Sequence, residues 1–236
     1  KKEFSTERKT KIVDEENQNF DKINFIQKKD LIITVSNRGY IKSVPLSLYK
    51  PQKRGGKGRT GMSIREDDFV TQIFIASTHT KLLVFSSIGK VYILRSFDIL
   101  ESSPQSRGKS IVNLLPFHKN ELISAVVPMP IDEQSWNSLN IILTTSLGMI
   151  KKNKLINVAK SGQRSLRMSG KTAIKLNHSD KLISVNISDE LHDVLLSTTD
   201  GKSIRFSISK IRLTSGLNSK GVRGIKLKGN NKVISM

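Results

Sequence analysis

Gln52 to Gly58 read Gln-Lys-Arg-Gly-Gly-Lys-Gly, three cations and three glycines in seven residues with no acid nearby. This composition suits a loop whose backbone must come close to a polyanion. Glycine permits positive φ and has no side chain to hold the backbone away, and successive N–H groups can then form a concave anion nest. Lys53, Arg54 and Lys57 supply charge: Arg54 can grip a phosphate with two parallel hydrogen bonds, whereas the lysines act as point charges. A solvated basic loop has the same composition, so the setting of the heptad has to decide between the two readings. The other residues that could do chemistry are weaker candidates. Gly108-Lys-Ser110 and Gly170-Lys-Thr172 look like the tail of a nucleotide-binding P-loop, but Ser103 and Ser165 stand where its first glycine is required. They read as structural landmarks whose bases, Lys109 and Lys171, remain candidate phosphate contacts. His79, His118, His178 and His192 show no metal-ligand spacing, and cysteine is absent, which excludes disulfides and thiolate metal sites. Asp67 and Asp68 are adjacent, so on a strand they would face opposite ways; they read as turn residues rather than a carboxylate pair.

The elements that must position the heptad are repeated. Four segments share a Ser/Thr-x-x-Gly turn between an apolar run and a second strand: Ser36 to Gly39, Ser86 to Gly89, Thr145 to Gly148 and Thr198 to Gly201. Each reads as a β-hairpin, with turn glycines 50, 59 and 53 residues apart. Some 20 residues later comes a glycine, usually a base, then a short strand, starting at Gly58, Gly108, Gly170 and Gly221. A third landmark, an acid or amide followed by alternating apolar residues, starts at Asp68, Asn120, Asp180 and Asn231. The unit therefore has roughly four strands and recurs four times, which predicts an all-β radial array of small sheets that bury their faces on one another. A single large sandwich is the alternative, but it does not require three landmarks to recur in order. The domain division is 1–29, a leading segment with an N-terminal strand, and 30–236, the repeat array. Lys1 in place of Met reads as a fragment start. The last repeat stops at Met236 inside an expected strand, so either the chain is truncated or the array closes by pairing with its N-terminal segment.

Charge sets the partner class. Forty Lys and Arg against 20 Asp and Glu give a net +20. Residues 134–179 hold eight bases and no acid, and residues 201–236 nine bases and no acid. Such acid-free stretches in a folded domain project a continuous positive field suited to a polyanion. No amphipathic basic helix and no apolar run of spanning length is present, so a membrane partner is disfavoured and a cytoplasmic location is expected. Aromatics are few, and Phe20, Phe25, Phe69, Phe74 and Phe85 lie in apolar surroundings that suggest core rather than stacking platforms for single strands. Duplex recognition through the phosphate backbone is therefore expected, with sequence preference arising from bendability.

Across essentially its whole length the chain resembles the C-terminal domain of bacterial DNA gyrase A. Gln52 to Gly58 is similar to that family's signature box, Gln-Arg-Arg-Gly-Gly-Lys-Gly, with Lys53 in place of the first arginine. Supporting matches are Phe4 to Ile12, Asp67-Asp68-Phe69, Phe85-Ser86-Ser87, Ile111 to Pro116 and Gly221 to Ile225. The resemblance implies a β-pinwheel, a propeller-like disc of strand-exchanged blades that wraps duplex DNA around a basic rim with positive handedness, so that the gyrase holoenzyme introduces negative supercoils. It also implies that the leading segment is the linker from the cleavage core, and that the family disc has six blades where this chain supplies about four. The chain alone is then non-catalytic and needs no cofactor, the holoenzyme using ATP and Mg²⁺ through other domains. Tyr49 is not the DNA-cleaving tyrosine, which in the family lies in the core. The implied partners are double-stranded DNA, the gyrase A core and gyrase B in an A2B2 holoenzyme in the bacterial cytoplasm at the nucleoid, with the isolated domain monomeric. Lysine at 53 keeps the charge and loses the planar fork.

The box residues Gln52, Lys53, Arg54, Gly55, Gly56, Lys57 and Gly58 carry over from the family by direct match. The expected rim is inferred from charge and turn position alone: Arg59, Arg107, Lys109, Lys151, Lys152, Arg164, Arg167, Lys171, Lys202, Arg205, Arg212, Lys220 and Arg223. Two rival readings remain. One is a topoisomerase IV-type tail that binds or bends DNA without strong wrapping; the intact box argues against it. The other is a propeller scaffold for acidic proteins.

Overall fold

The structure, a computed structural model, describes residues 22–58, 60–63, 67–160 and 169–236. Most of the expected linker, residues 1–21, lies outside them. The strands are β1 (Asp30–Ser36), β2 (Tyr40–Pro45) and β3 (Val70–Ser77) in the first repeat, and β4 (Lys81–Ser86), β5 (Lys90–Arg95), β6 (Lys109–Ser110) and β7 (Ile123–Pro128) in the second. The third holds β8 (Asn140–Thr145), β9 (Met149–Lys154), a short helix α1 (Leu155–Ala159), β10 (Lys171–Thr172) and β11 (Leu182–Ser188). The fourth holds β12 (Asp193–Thr198), β13 (Ser203–Ser207), β14 (Val222–Arg223) and β15 (Val233–Ser235).

These strands form four antiparallel sheets, ordered β3-β1-β2-β6, β10-β5-β4-β7, β11-β8-β9-β14 and β13-β12-β15. The order shows the strand exchange of a β-pinwheel. The short strand of each later repeat leaves its own sheet and caps the hairpin of the repeat before it: β6 pairs with β2, β10 with β5, and β14 with β9. In the first three sheets the hairpin is central, and in all four the third-landmark strand (β3, β7, β11, β15) pairs with the hairpin's first strand.

The Ser/Thr-x-x-Gly motif builds the hairpin turn by two bonds. The glycine N–H donates to the Ser/Thr carbonyl, at 3.0 Å in Gly39–Ser36 and 2.9 Å in Gly89–Ser86. The Ser/Thr hydroxyl accepts from the N–H four residues on, as in Tyr40 to Ser36 (3.2 Å) and Met149 to Thr145 (3.2 Å). The acid of the third landmark then ties its strand to the same turn. Asp68 Oδ1 accepts from the Arg38 and Phe69 N–H groups, both at 3.0 Å, and Asp180 Oδ1 accepts from Leu147 and Lys181, both at 2.9 Å. Burial pushes the Asp68 carboxyl up, but the Ser36 hydroxyl, then the Arg38 and Phe69 N–H groups and the Arg38 charge, hold it below its ordinary pKa. Asp68 is thus a buried turn residue, while Asp67 is exposed and pairs with Arg38 at 3.1 Å.

Three apolar clusters fill the spaces between successive sheets. Ile33, Val35, Leu82, Val84 and Val126 join the first two sheets, Leu83, Phe85, Leu143, Leu182 and Val185 the second and third, and Ile142, Ile150, Val194 and Leu196 the third and fourth. Each fully buried side chain of this kind contributes roughly 1.5–3 kcal/mol relative to exposure. Leu155, Val158 and Ala159 bury one face of α1 in the middle cluster, at the spacing of a helix stripe. Among the expected core phenylalanines, Phe85 is fully buried and Phe74 packs at the cluster edge, but Phe25 is 75% and Phe69 56% exposed. Phe69 immediately follows the buried Asp68, which fixes the backbone there and turns the ring outward. Phe20 lies outside the described residues.

Candidate nucleic-acid interface

The heptad forms an exposed loop leaving the first hairpin. A turn at Arg54–Gly55 is closed by the Gly56 N–H donating to the Lys53 carbonyl at 3.0 Å. Gln52 folds back across the loop, and its Oε1 accepts from the Gly58 N–H at 3.0 Å. The same oxygen stands 2.7 Å from where a Gly56 Cβ would be, with the Lys53 carbonyl at 3.1 Å. Gly56 therefore leaves room for the folded-back carboxamide, and Gln52 organises the loop while the cations project from it. Lys53, Arg54 and Lys57 are exposed, and none bonds a carboxylate among the described residues. Lys50, also exposed and two residues before Gln52, extends the same cationic strip.

The crossing strands bring a second group of cations to the sheet edges. Lys109 on β6, Arg223 on β14, and Lys220 and Arg212 before β14 are all exposed. Lys171 on β10 is half-buried. Arg107 is half-buried with its guanidinium carbon 3.6 Å from the Tyr40 ring centroid, a cation–π contact that fixes its direction. Lys202 and Arg205 are exposed but already paired, with Asp200 at 2.8 Å and Asp193 at 3.1 Å. The Lys202 ammonium and the Thr198 hydroxyl hold the Asp200 carboxyl down at about 2. Arg59, Arg164 and Arg167 lie outside the described residues.

Two members of the expected rim are corrected. Lys151 and Lys152 are 1% and 3% exposed and cannot meet a phosphate at the surface. The Lys151 ammonium donates to the Ala173 and Leu217 carbonyls, and that of Lys152 to Glu190 Oε2 at 3.0 Å and the Ile208 carbonyl at 2.9 Å. Charge and turn position do not reveal which face of β9 they occupy. Lys42, equally buried, stands at the same third position after the turn glycine as Lys151, and that shared spacing is the signal that could have found it.

A family model described as "DNA gyrase C-terminal domain, beta-propeller" matches residues 30–77, 80–128 and 192–236. The chain belongs to this family. It is 42% identical over its whole length to the DNA gyrase A protein of Rickettsia bellii and 38% identical over 90% of its length to that of Escherichia coli K12. It spans only 25% and 23% of the length of these relatives. Among solved structures, a topoisomerase IV C-terminal domain superposes with a TM-score of 0.71 over 89% of this chain and 61% of that one. A gyrase A C-terminal domain gives 0.67 over 88% and 64%. At 23% and 22% identity these two likenesses show the fold alone. The matched ranges pass over the third repeat, where β9 leads into α1 instead of the 3-10 turns Leu46–Leu48, Ser96–Asp98 and Ile208–Lys210 that follow the other hairpins.

Proposed function

We propose that this chain binds duplex DNA and wraps it with positive handedness along its basic edge, so that the gyrase holoenzyme introduces negative supercoils. The observation that carries the reading is the exposed Gln52–Gly58 loop, whose three cations meet no acid among the described residues and whose backbone is shaped by Gln52. Family membership supports it, because the box matches the family signature with one Lys-for-Arg exchange. In this reading the chain positions DNA and performs no bond chemistry. ATP and Mg²⁺ act through other domains, and the partners are the gyrase A core and gyrase B in an A2B2 holoenzyme at the nucleoid. Lys53, Arg54 and Lys57 make the decisive phosphate contacts. Lys109, Arg212, Lys220 and Arg223 extend the path, while Arg107 and Lys171 are partly committed to the fold.

A topology assay tests this. Relaxed circular duplex is incubated with the protein and a nicking-closing topoisomerase, deproteinised, and resolved on a chloroquine gel. Trapped positive supercoils that vanish when Gln52–Gly58 is replaced by alanines support chiral wrapping by the box. Tight binding with an unchanged linking number would leave the topoisomerase IV-like role of binding or bending. Binding of acidic protein without DNA affinity would leave the scaffold role. Salt gives a second measure: wrapping predicts a log–log slope of about −5 or steeper, and a single local contact about −1 to −2, at about −0.9 per neutralised phosphate.

A further inference from the structure

Two lysines inside the fold lack a carboxylate partner among the described residues. Lys42 on β2 is fully buried, yet its Nζ donates to three backbone carbonyls, those of Ser103 (3.2 Å), Pro104 (2.6 Å) and Ser106 (2.9 Å). All three belong to the loop of the second repeat that crosses over to cap the first sheet, just before Gly108. Lys151 on β9 repeats the arrangement two blades on. Its Nζ donates to the Leu217 carbonyl, in the fourth-repeat loop that crosses to cap the third sheet before Gly221. A second bond, 2.8 Å to the Ala173 carbonyl, reaches the segment by which the third repeat caps the second sheet. An ammonium has three donors and no acceptor, so a pocket of converging carbonyls suits it chemically. Burying an unpaired charge is costly unless such bonds compensate. Desolvation accordingly lowers both pKa values.

The other two repeats act as internal controls. At the equivalent position of the second sheet, Tyr92 fills the space with its ring, which lies against Gly170, and its hydroxyl donates to Glu121 at 2.9 Å. In the fourth sheet the equivalent is Ile204; β13 has no crossing strand beside it among the described residues, and Ile204 is 37% exposed. Among the described residues the lysine occurs only where a loop from the next repeat must be held, and the loops it holds lead into exposed bases: Lys109 after the first, Lys220 and Arg223 after the second.

We propose that Lys42 and Lys151 are positioning residues for the DNA-facing edge: each buried ammonium grips carbonyls of the incoming loop and so fixes where that loop's cations stand. The grip stands on geometry alone, whereas its consequence for DNA rests on the function proposed above. The test is hydrogen exchange by mass spectrometry on the intact gyrase A protein carrying Lys42→Met or Lys151→Met, without DNA. Lys42→Met should speed exchange at least tenfold in 105–111 and leave 217–223 at wild-type rates; Lys151→Met should do the reverse. Lys42→Tyr imports the second sheet's own solution, fills the volume, and should fold while still loosening 105–111. Wild-type exchange in these loops, or an equal rise throughout β1, β2, β8 and β9, overturns the grip. With the grip established, the variants should bind duplex about fivefold more weakly at fixed salt, with a slope shallower by about 1 to 2. Loosened loops with unchanged affinity overturn the positioning role, and the alanine replacement of Gln52–Gly58 reports separately on whether DNA binding itself is correct.

Discussion

Gly108, Gly170 and Gly221 are packed so closely that an added Cβ would lie 2.6 Å from the Ile41 carbonyl, 2.5 Å from the Tyr92 ring and 2.4 Å from the Ile150 carbonyl respectively. Gly58, the matching glycine of the first repeat, meets nothing within 4 Å. All four share the left-handed conformation, with φ of 79°, 68°, 79° and 69°. The local shape is therefore written into each repeat, and docking onto a neighbouring blade is a separate tertiary event. Three copies spend the segment on strand exchange. The first leaves Gly58 itself exposed and undocked, preceded by three exposed cations and a glutamine that ties the loop to itself. One repeated device thus serves architecture in three places and presents charge in the fourth.

The comparison breaks most sharply at the glycines. Gly108→Ala and Gly58→Ala both incur the left-handed strain of about 1–2 kcal/mol, but only the first drives a methyl into backbone. Gly108→Ala should therefore destabilise by about 3 kcal/mol or more, in the range of severe core substitutions, and Gly58→Ala by about 1 kcal/mol. Urea unfolding of the two variants measures the difference; equal losses would mean that the crossing strand is not docked as described. Next in size is charge. Replacing Lys53, Arg54 and Lys57 together by alanine should make the salt slope of duplex binding shallower by about 2.7, at about 0.9 per lost phosphate contact, with no change in urea midpoint. The same change at Arg223 alone should shift the slope by at most about 0.9. A triple variant with the wild-type slope would remove the box from the interface.

Much of this is legible in the sequence because it is local. The Ser/Thr-x-x-Gly turns, the acid or amide before the third strand and the recurring glycine each encode a bond or a dihedral within a few residues, so counting them yields four sheets in order. Strand exchange is not visible in spacing. Lys109 to Ser110 is too short to show which hairpin it joins, and only the family resemblance implies that it leaves its own blade. Burial on the second strand is hidden for a related reason. Ile150, Lys151, Lys152 and Asn153 are all buried, because one face of β9 meets the next sheet and the other meets the incoming loop. A lysine covered on both sides by carbonyls has the same sequence signature as one reaching for phosphate. Within the box, Gln52 reads as one more contact, whereas its carboxamide is turned inward to the loop.

That role gives a smaller effect than charge removal. Gln52→Ala deletes one exposed intraloop hydrogen bond, about 1 kcal/mol, and leaves every cation in place. Duplex affinity should drop about fivefold while the salt slope stays at its wild-type value. A shallower slope would instead show that the loop's cations depend on Gln52 to reach the phosphates.

The last contrast separates the third sheet from the second by pH. Burial lowers Lys151 from 10.5 to about 8. Between about pH 8 and 10.5 the unfolded chain therefore holds a proton that the folded chain has lost, and stability from this group rises with pH across that window. Neutral amine still has two N–H donors for the two carbonyls it meets, so deprotonation removes the desolvation penalty without emptying the site. Tyr92 works in the opposite direction. Burial first, then the hydrogen bond and charge of Glu121, raises its hydroxyl well above the ordinary 10.0. Above about pH 10 the unfolded chain loses that proton while the fold retains it, and stability falls. Urea midpoints taken from about pH 7 to 11 should accordingly climb and then turn over near pH 10. Lys151→Met should shrink the climb to the share left by Lys42, whose pKa burial also lowers, and leave the fall, and Tyr92→Phe should flatten the fall and leave the climb. A climb undiminished by Lys151→Met would assign it to other groups, Lys42 first, and remove the evidence that the Lys151 ammonium is desolvated.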